Sequence, residues 1–146
     1  LLISRAGGGK VGLPEVALGV LPGTGGTQRL TRLVGVSKAI EMMAEGSNFD
    51  FETAEKFGIV NKILDAESRD AFLDQVLAYA RQFTRPNKAT FAVGNIKRSC
   101  QTGGALPLEQ GLALERELQA LLFNSSDAKE GLSAYVEKRQ PQFTGK

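Results

Sequence analysis

Hydrophobic positions change their rhythm once along the chain, near Asp65–Ser68. Before that seam they come in short runs broken by glycine. Leu1 to Ser4 is an apolar run of strand length, and Val16-Ala17-Leu18-Gly19-Val20 predicts a second strand. Pro22-Gly23-Thr24-Gly25-Gly26-Thr27 then opens into Gln28–Val34, where leucines three apart predict a helix with Thr24 or Thr27 as its N-cap. Ser37 is placed to cap a helix over Lys38–Glu45 that turns Ile40, Met43 and Ala44 inward and ends on Gly46. Asp50 is placed to cap another that stops at Gly58. Ile59–Leu64 alternates as a strand, so the first part reads as α/β.

After the seam the period becomes helical. Phe72, Val76, Tyr79, Ala80 and Phe83 share one face, and Leu114, Leu118, Leu121 and Leu122 share another after Pro107 at a helix start. Pro86–Cys100 predicts a helix that Thr102-Gly103-Gly104 interrupts. Asp127 with Glu130 three residues on has capping-box spacing and opens a final helix through Leu132, Tyr135 and Val136. These amphipathic faces exceed what a short core covers, which predicts self-association.

Composition sharpens the seam. Of 17 glycines among 146 residues, 11 fall in residues 1–58. Charge does not mark the boundary, since residues 1–66 hold seven basic and seven acidic side chains. The division expected is therefore 1–66 and 67–146. With a net charge of +2 and interspersed signs, no footprint for nucleic acid appears. There is no histidine, which excludes Ser-His-Asp and Cys-His catalysis and His-ligated zinc. The single cysteine, Cys100, forbids an internal disulfide and fits a reducing compartment rather than secretion. No apolar run approaches the roughly 18 residues of a membrane span. The opening Leu1-Leu2-Ile3 lacks a Met and a basic leader, so an N-terminal portion is expected before it.

Two glycine segments and one carboxylate are the candidates for chemistry. Gly7-Gly8-Gly9-Lys10-Val11-Gly12 matches G-x-G-x-x-G, but Leu13-Pro14 stands where the phosphate-binding helix would begin, so it reads as a turn. Pro22–Thr27 is either a tight turn or a loop where a ligand approaches the backbone and the helix behind it supplies N–H donors. Glu15 stands seven residues upstream of that turn, alone in Val11-Gly12-Leu13-Pro14-Glu15-Val16-Ala17-Leu18. Such a carboxylate lies either at a surface edge or in a pocket suited to general-acid work. Cys100 has no basic partner visible in the sequence and reads as inert, and Arg29 and Arg32 read as solvent or interface charges.

Gly12-Leu13-Pro14-Glu15-Val16, Leu18-Gly19 and Pro22-Gly23-Thr24-Gly25-Gly26-Thr27-Gln28-Arg29-Leu30 resemble the signature region of the crotonase, or enoyl-CoA hydratase/isomerase, family. Glu45-Gly46, Ala54-Glu55 and Gly58-Ile59-Val60-Asn61-Lys62 resemble its next block, and Glu130–Arg139 its C-terminal signature. The resemblance covers essentially the whole chain. It implies the C-terminal portion of a spiral β-β-α core over residues 1–66, followed by a helical oligomerisation region over 67–146.

By resemblance, Glu15 matches the later of two catalytic glutamates, the acid that protonates the substrate α-carbon. Gly23 matches the glycine whose N–H orients the catalytic water. Phe123 and Lys138 match positions that contact coenzyme A. The activity implied is reversible hydration of trans-2-enoyl-CoA, with double-bond isomerisation or another acyl-CoA reaction as the neighbouring alternative. A non-catalytic assembly module is the alternative from another class. No metal or redox cofactor is implied, coenzyme A being part of the substrate. The partners implied are an acyl-CoA and two or five further copies, as homotrimer or hexamer, with no nucleic acid and no membrane. The setting implied is the bacterial cytoplasm or the mitochondrion. The second glutamate and the oxyanion hole would precede Leu1, so residues 1–146 alone are expected to be inactive.

Overall fold

The opening apolar run forms β1 (Leu2–Ser4), which pairs in parallel with β2 (Lys62–Leu64), Ile3 opposite Ile63. Parallel neighbours need a long crossover. Here it holds α1 (Gly26–Val34), α2 (Val36–Glu45) and α3 (Phe51–Lys56). The computed structural model describes residues 1–146 and divides into two units, Leu1–Val76 and Leu77–Lys146. α4 (Arg69–Arg81) begins just after the Asp65–Ser68 seam and contains the boundary between the two units.

In the first unit Asp50 caps α3, its Oδ1 accepting from the Thr53 N–H at 2.8 Å. Gly46 and Gly58 take the left-handed conformation at φ 61° and 74°, as residues that stop helices do at little cost only when they lack a Cβ. Arg5, at the end of β1, pairs with Glu52 of α3 and with Asp65 just past β2. Ala39, Ala54 and Val60 are the most deeply buried side chains of this unit, none more than 1% exposed.

Three expectations for this unit are corrected. Val16–Val20 is not a strand: Glu15–Leu18 is a single 3₁₀ turn that Gly19 closes at φ 71°. The turn satisfies its own backbone, with Ala17 N–H donating to Pro14 O and Gly19 N–H to Val16 O, both at 3.0 Å. The N-cap of α1 is Gly25, not Thr24 or Thr27. Thr24 is itself left-handed, at φ 50°, and Thr27 lies inside the first turn. In α2, capped by Gly35 rather than Ser37, Ala39 and Met42 are buried, whereas Ile40 is 60% exposed. Met43 is half-buried and Ala44 exposed. The pairs Ala39-Ile40 and Met42-Met43 offer an apolar residue in either of two helical registers, and packing selects the earlier one.

The second unit contains α5 (Thr90–Arg98), α6 (Leu108–Phe123) and α7 (Ser126–Glu137). The helix expected from Pro86 begins at Thr90, because the chain before it is taken up by turns, Lys88 N–H reaching Thr84 O at 3.0 Å. α5 runs into a wide π turn, Ser99–Gly103, which packs against α6. A Cβ on Gly111 would stand 3.2 Å from Gly103 O, so the two backbones cross there at close range.

Asp127 does not cap α7. Ser125 does, its hydroxyl accepting from the Ala128 N–H at 3.1 Å. Asp127, only 3% exposed, instead accepts from the Thr144 N–H at 2.7 Å, the Gly145 N–H at 2.8 Å and the Thr144 hydroxyl at 3.1 Å. Its carboxylate thereby anchors the chain end. Burial pushes this carboxyl up, but those hydrogen bonds, helped by the Arg85 charge, outweigh it and hold the group below its ordinary value. Beyond the anchor, Tyr135 and Val136 of α7 stand 84% and 78% exposed.

Candidate active site

Glu15 is the first residue of the 3₁₀ turn, directly after Pro14. The side chain is half-buried, and its Oε2 is fully covered yet accepts no hydrogen bond. Buried polar atoms are nearly always paired, and an orphan in a folded protein calls for an explanation such as a catalytic role. No donor within the chain orients this carboxylate. Its direction is set only by the backbone of the turn and the packing around it.

The loop that follows contains three glycines, and the fold accounts for two. Gly25 sits at φ 93°, a conformation that a side chain strains. Gly26 is needed for contact, since a Cβ there would lie 2.8 Å from Cβ of the buried Pro22. Gly23 is neither left-handed nor crowded: a Cβ on it would meet nothing within 4 Å. The residue is exposed, and its N–H donates to no acceptor in the chain. Nothing in this fold demands a glycine at position 23, whereas close approach of a small molecule to its amide would.

The first amides of α1 are less available than the glycine loop suggests. Gly26 N–H donates to Gly23 O at 3.0 Å and Thr27 N–H to Pro22 O at 3.4 Å. The Arg29 and Arg32 guanidinium groups fold back onto Thr24 O and Gln28 O. An apolar cavity of about 250 Å³ lies among Val11, Leu13, Leu30, Leu33, Met42 and Phe49, without Glu15 or Gly23 in its lining. Glu15 and Gly23 belong to one unit, but no atom of Glu15 comes within 4 Å of a Cβ built on Gly23.

Phe123 and Lys138 lie in the other unit. Phe123 ends α6 with 57% exposure, so it is not a core residue. It lines a cavity of about 600 Å³ with Ile96, Cys100 and Leu118, and one of about 300 Å³ with Ala128 and Leu132. Lys138 closes α7 in the left-handed conformation, at φ 54°, and its ammonium has no carboxylate partner. The neighbouring Arg139 is engaged, donating to both Glu130 oxygens at 2.6 and 2.9 Å and to Glu137 at 2.6 Å. Those bonds, with one from the Gln142 N–H, hold the Glu130 carboxyl down at about 2 and push the Arg139 guanidinium up.

No group of three or more Cys, Asp or Glu side chains is placed to hold a metal ion. No helix is long and apolar enough to cross a membrane. The sequence placed Gly46 at a helix end and Gly12 in a turn but did not show that each lies against the other's segment, because those segments are some thirty residues apart in the chain.

A profile of the enoyl-CoA hydratase/isomerase family matches residues 4–146. The chain is 37% identical over 135 residues to a probable mitochondrial enoyl-CoA hydratase of Dictyostelium discoideum, covering 92% of this chain and 47% of that protein. It is 36% identical over 137 residues to the 2,3-dehydroadipyl-CoA hydratase of Escherichia coli K12, covering 94% and 52%. A solved enoyl-CoA hydratase from Geobacillus kaustophilus superposes with a TM-score of 0.78 at 46% identity, over 99% of this chain and 53% of that one. The chain thus spans about half the length of these relatives, and its fold corresponds to the C-terminal portion of the crotonase fold.

Proposed function

The chain belongs to the enoyl-CoA hydratase/isomerase family, and from that premise we propose that it supplies the proton-delivering part of an enoyl-CoA hydratase. The observation that carries this reading is the covered, unpartnered Oε2 of Glu15. In the reaction, the oxygen of water bonds to the β-carbon of a trans-2-enoyl thioester and the π pair moves toward the thioester carbonyl. The enolate-like species that results takes a proton at its α-carbon, and Glu15 is the donor. Gly23 N–H orients the attacking water. A second carboxylate receives the proton of that water, and an oxyanion hole steadies the thioester oxygen. Because the chain spans about half the length of its relatives, the activity is proposed for a polypeptide of the relatives' full length that carries this chain, hereafter the full-length enzyme.

Residues 1–66 then hold the chemistry and 67–146 the assembly surface, where Phe123 meets coenzyme A and Lys138 its phosphates. The exposure of Leu132, Tyr135 and Val136 supports a homotrimer or hexamer. The enzyme works without a metal or redox cofactor, in the bacterial cytoplasm or the mitochondrion. The experiment is a parallel assay of the full-length enzyme on a trans-2-enoyl-CoA and a trans-3-enoyl-CoA. Fast hydration of the first is expected. Rapid transfer of the double bond in the second, with little hydration of the first, would replace this reading with isomerisation, which the same carboxyl can perform by moving a proton between carbons.

A further inference from the structure

The Glu15 carboxylate has no hydrogen bond to aim it, so its position depends on what holds the backbone of its turn. That turn rests on the loop after α2. Val11 and Phe49 exchange two backbone hydrogen bonds, each 2.9 Å. A Cβ on Gly12 would run into Asn48 Oδ1 and stand 2.8 Å from Ser47 O. A Cβ on Gly46 would lie 2.6 Å from Val16 Cγ1 and 3.7 Å from Pro14 Cα. Pro14 and Val16 are the two residues that flank Glu15.

We infer that Gly46 is a positioning residue for proton delivery, its bare Cα letting the end of α2 seat against Pro14 and Val16 and so fix where the Glu15 carboxylate stands. Gly46 touches no reacting atom and acts only through Glu15. Ordinary contact begins near 3.4 Å, so an added methyl must displace Val16 Cγ1 by most of an ångström and disturb the side chain through which the turn is seated. A shift of about 1 Å in a reacting group costs up to about 10²-fold in rate. This inference rests on the proposed role of Glu15.

The test uses the full-length enzyme and a matched control. Gly58 is also left-handed, at φ 74°, but a Cβ there meets nothing within 4 Å, so Gly58→Ala carries the backbone strain without the contact. Gly46→Ala is expected to lower kcat about 10- to 10²-fold with KM nearly unchanged, and Gly58→Ala to lower the melting temperature but not kcat. Val16→Ala, which removes the obstructing methyl, should restore most of kcat to Gly46→Ala without restoring the melting temperature, and it relieves the contact if the single variant folds poorly. In a Glu15→Gln background, Gly46→Ala should cost no further rate. Equal losses with and without Glu15, or a Gly46→Ala variant that loses stability alone, would overturn the inference. Near-normal turnover of Glu15→Gln would instead overturn the role of Glu15 itself.

Discussion

Substitution at the three loop glycines should separate rate from stability. At Gly26 an added methyl would stand 2.8 Å from Pro22 Cβ, and such overpacking costs about 1–3 kcal/mol. At Gly25, left-handed at φ 93°, a side chain costs about 1–2 kcal/mol in backbone strain. Gly23 has neither liability. Replacing it trims the freedom of the unfolded chain, so Gly23→Val should leave stability within about 1 kcal/mol of the parent. Its turnover should nevertheless fall about 10²-fold, because the new side chain displaces the water that the amide orients. The assay pairs denaturant unfolding with crotonyl-CoA hydration on one preparation of the full-length enzyme, for Gly23→Val, Gly25→Ala and Gly26→Ala. A Gly23→Val variant that loses as much stability as Gly26→Ala while its rate per folded molecule is intact would refute the role of the Gly23 amide.

Two further outcomes concern the second unit. Lys138→Ala should raise KM for coenzyme A thioesters, in a manner that weakens with salt, while leaving a short thioester without the nucleotide unaffected; equal behaviour of both substrates would make Lys138 a surface charge only. The native Asp127 carboxyl lies below its ordinary value, so its hold on the chain end is fully present above about pH 4 and is lost as pH falls through the lower native value. Hydrogen exchange at the Thr144 and Gly145 amides should therefore show loss of protection in acid, and Asp127→Asn should weaken that protection at neutral pH.

Local signals with a single physical solution were legible in the sequence. Asp50 could only cap, and Gly46 and Gly58 marked the ends of helices, because a polar side chain before a helix and a glycine after one each resolve an unsatisfied backbone group. Glu15 stood out as one carboxylate in an apolar stretch, and its covered oxygen follows from that setting. Where two solutions compete, pattern alone misleads. Val16–Val20 has strand composition, yet Pro14 and Gly19 bend it into a turn. Asp127 and Glu130 have capping-box spacing, but Ser125 takes the cap and frees Asp127 for a contact 17 residues away with Thr144. The seat that Gly46 gives Pro14 and Val16 could not be read from either segment, since it exists only once the chain has folded back on itself.

Whether the Glu15 carboxyl gives the proton to the α-carbon is decided by the turnover of Glu15→Gln in crotonyl-CoA hydration by the full-length enzyme, with substrate binding measured on the same sample. Gln keeps the shape and removes the transferable proton. Folding should be unchanged, binding retained, and turnover lower by about 10²–10⁴, the usual worth of a positioned general acid. Near-normal turnover in a variant that binds substrate would contradict proton delivery by Glu15.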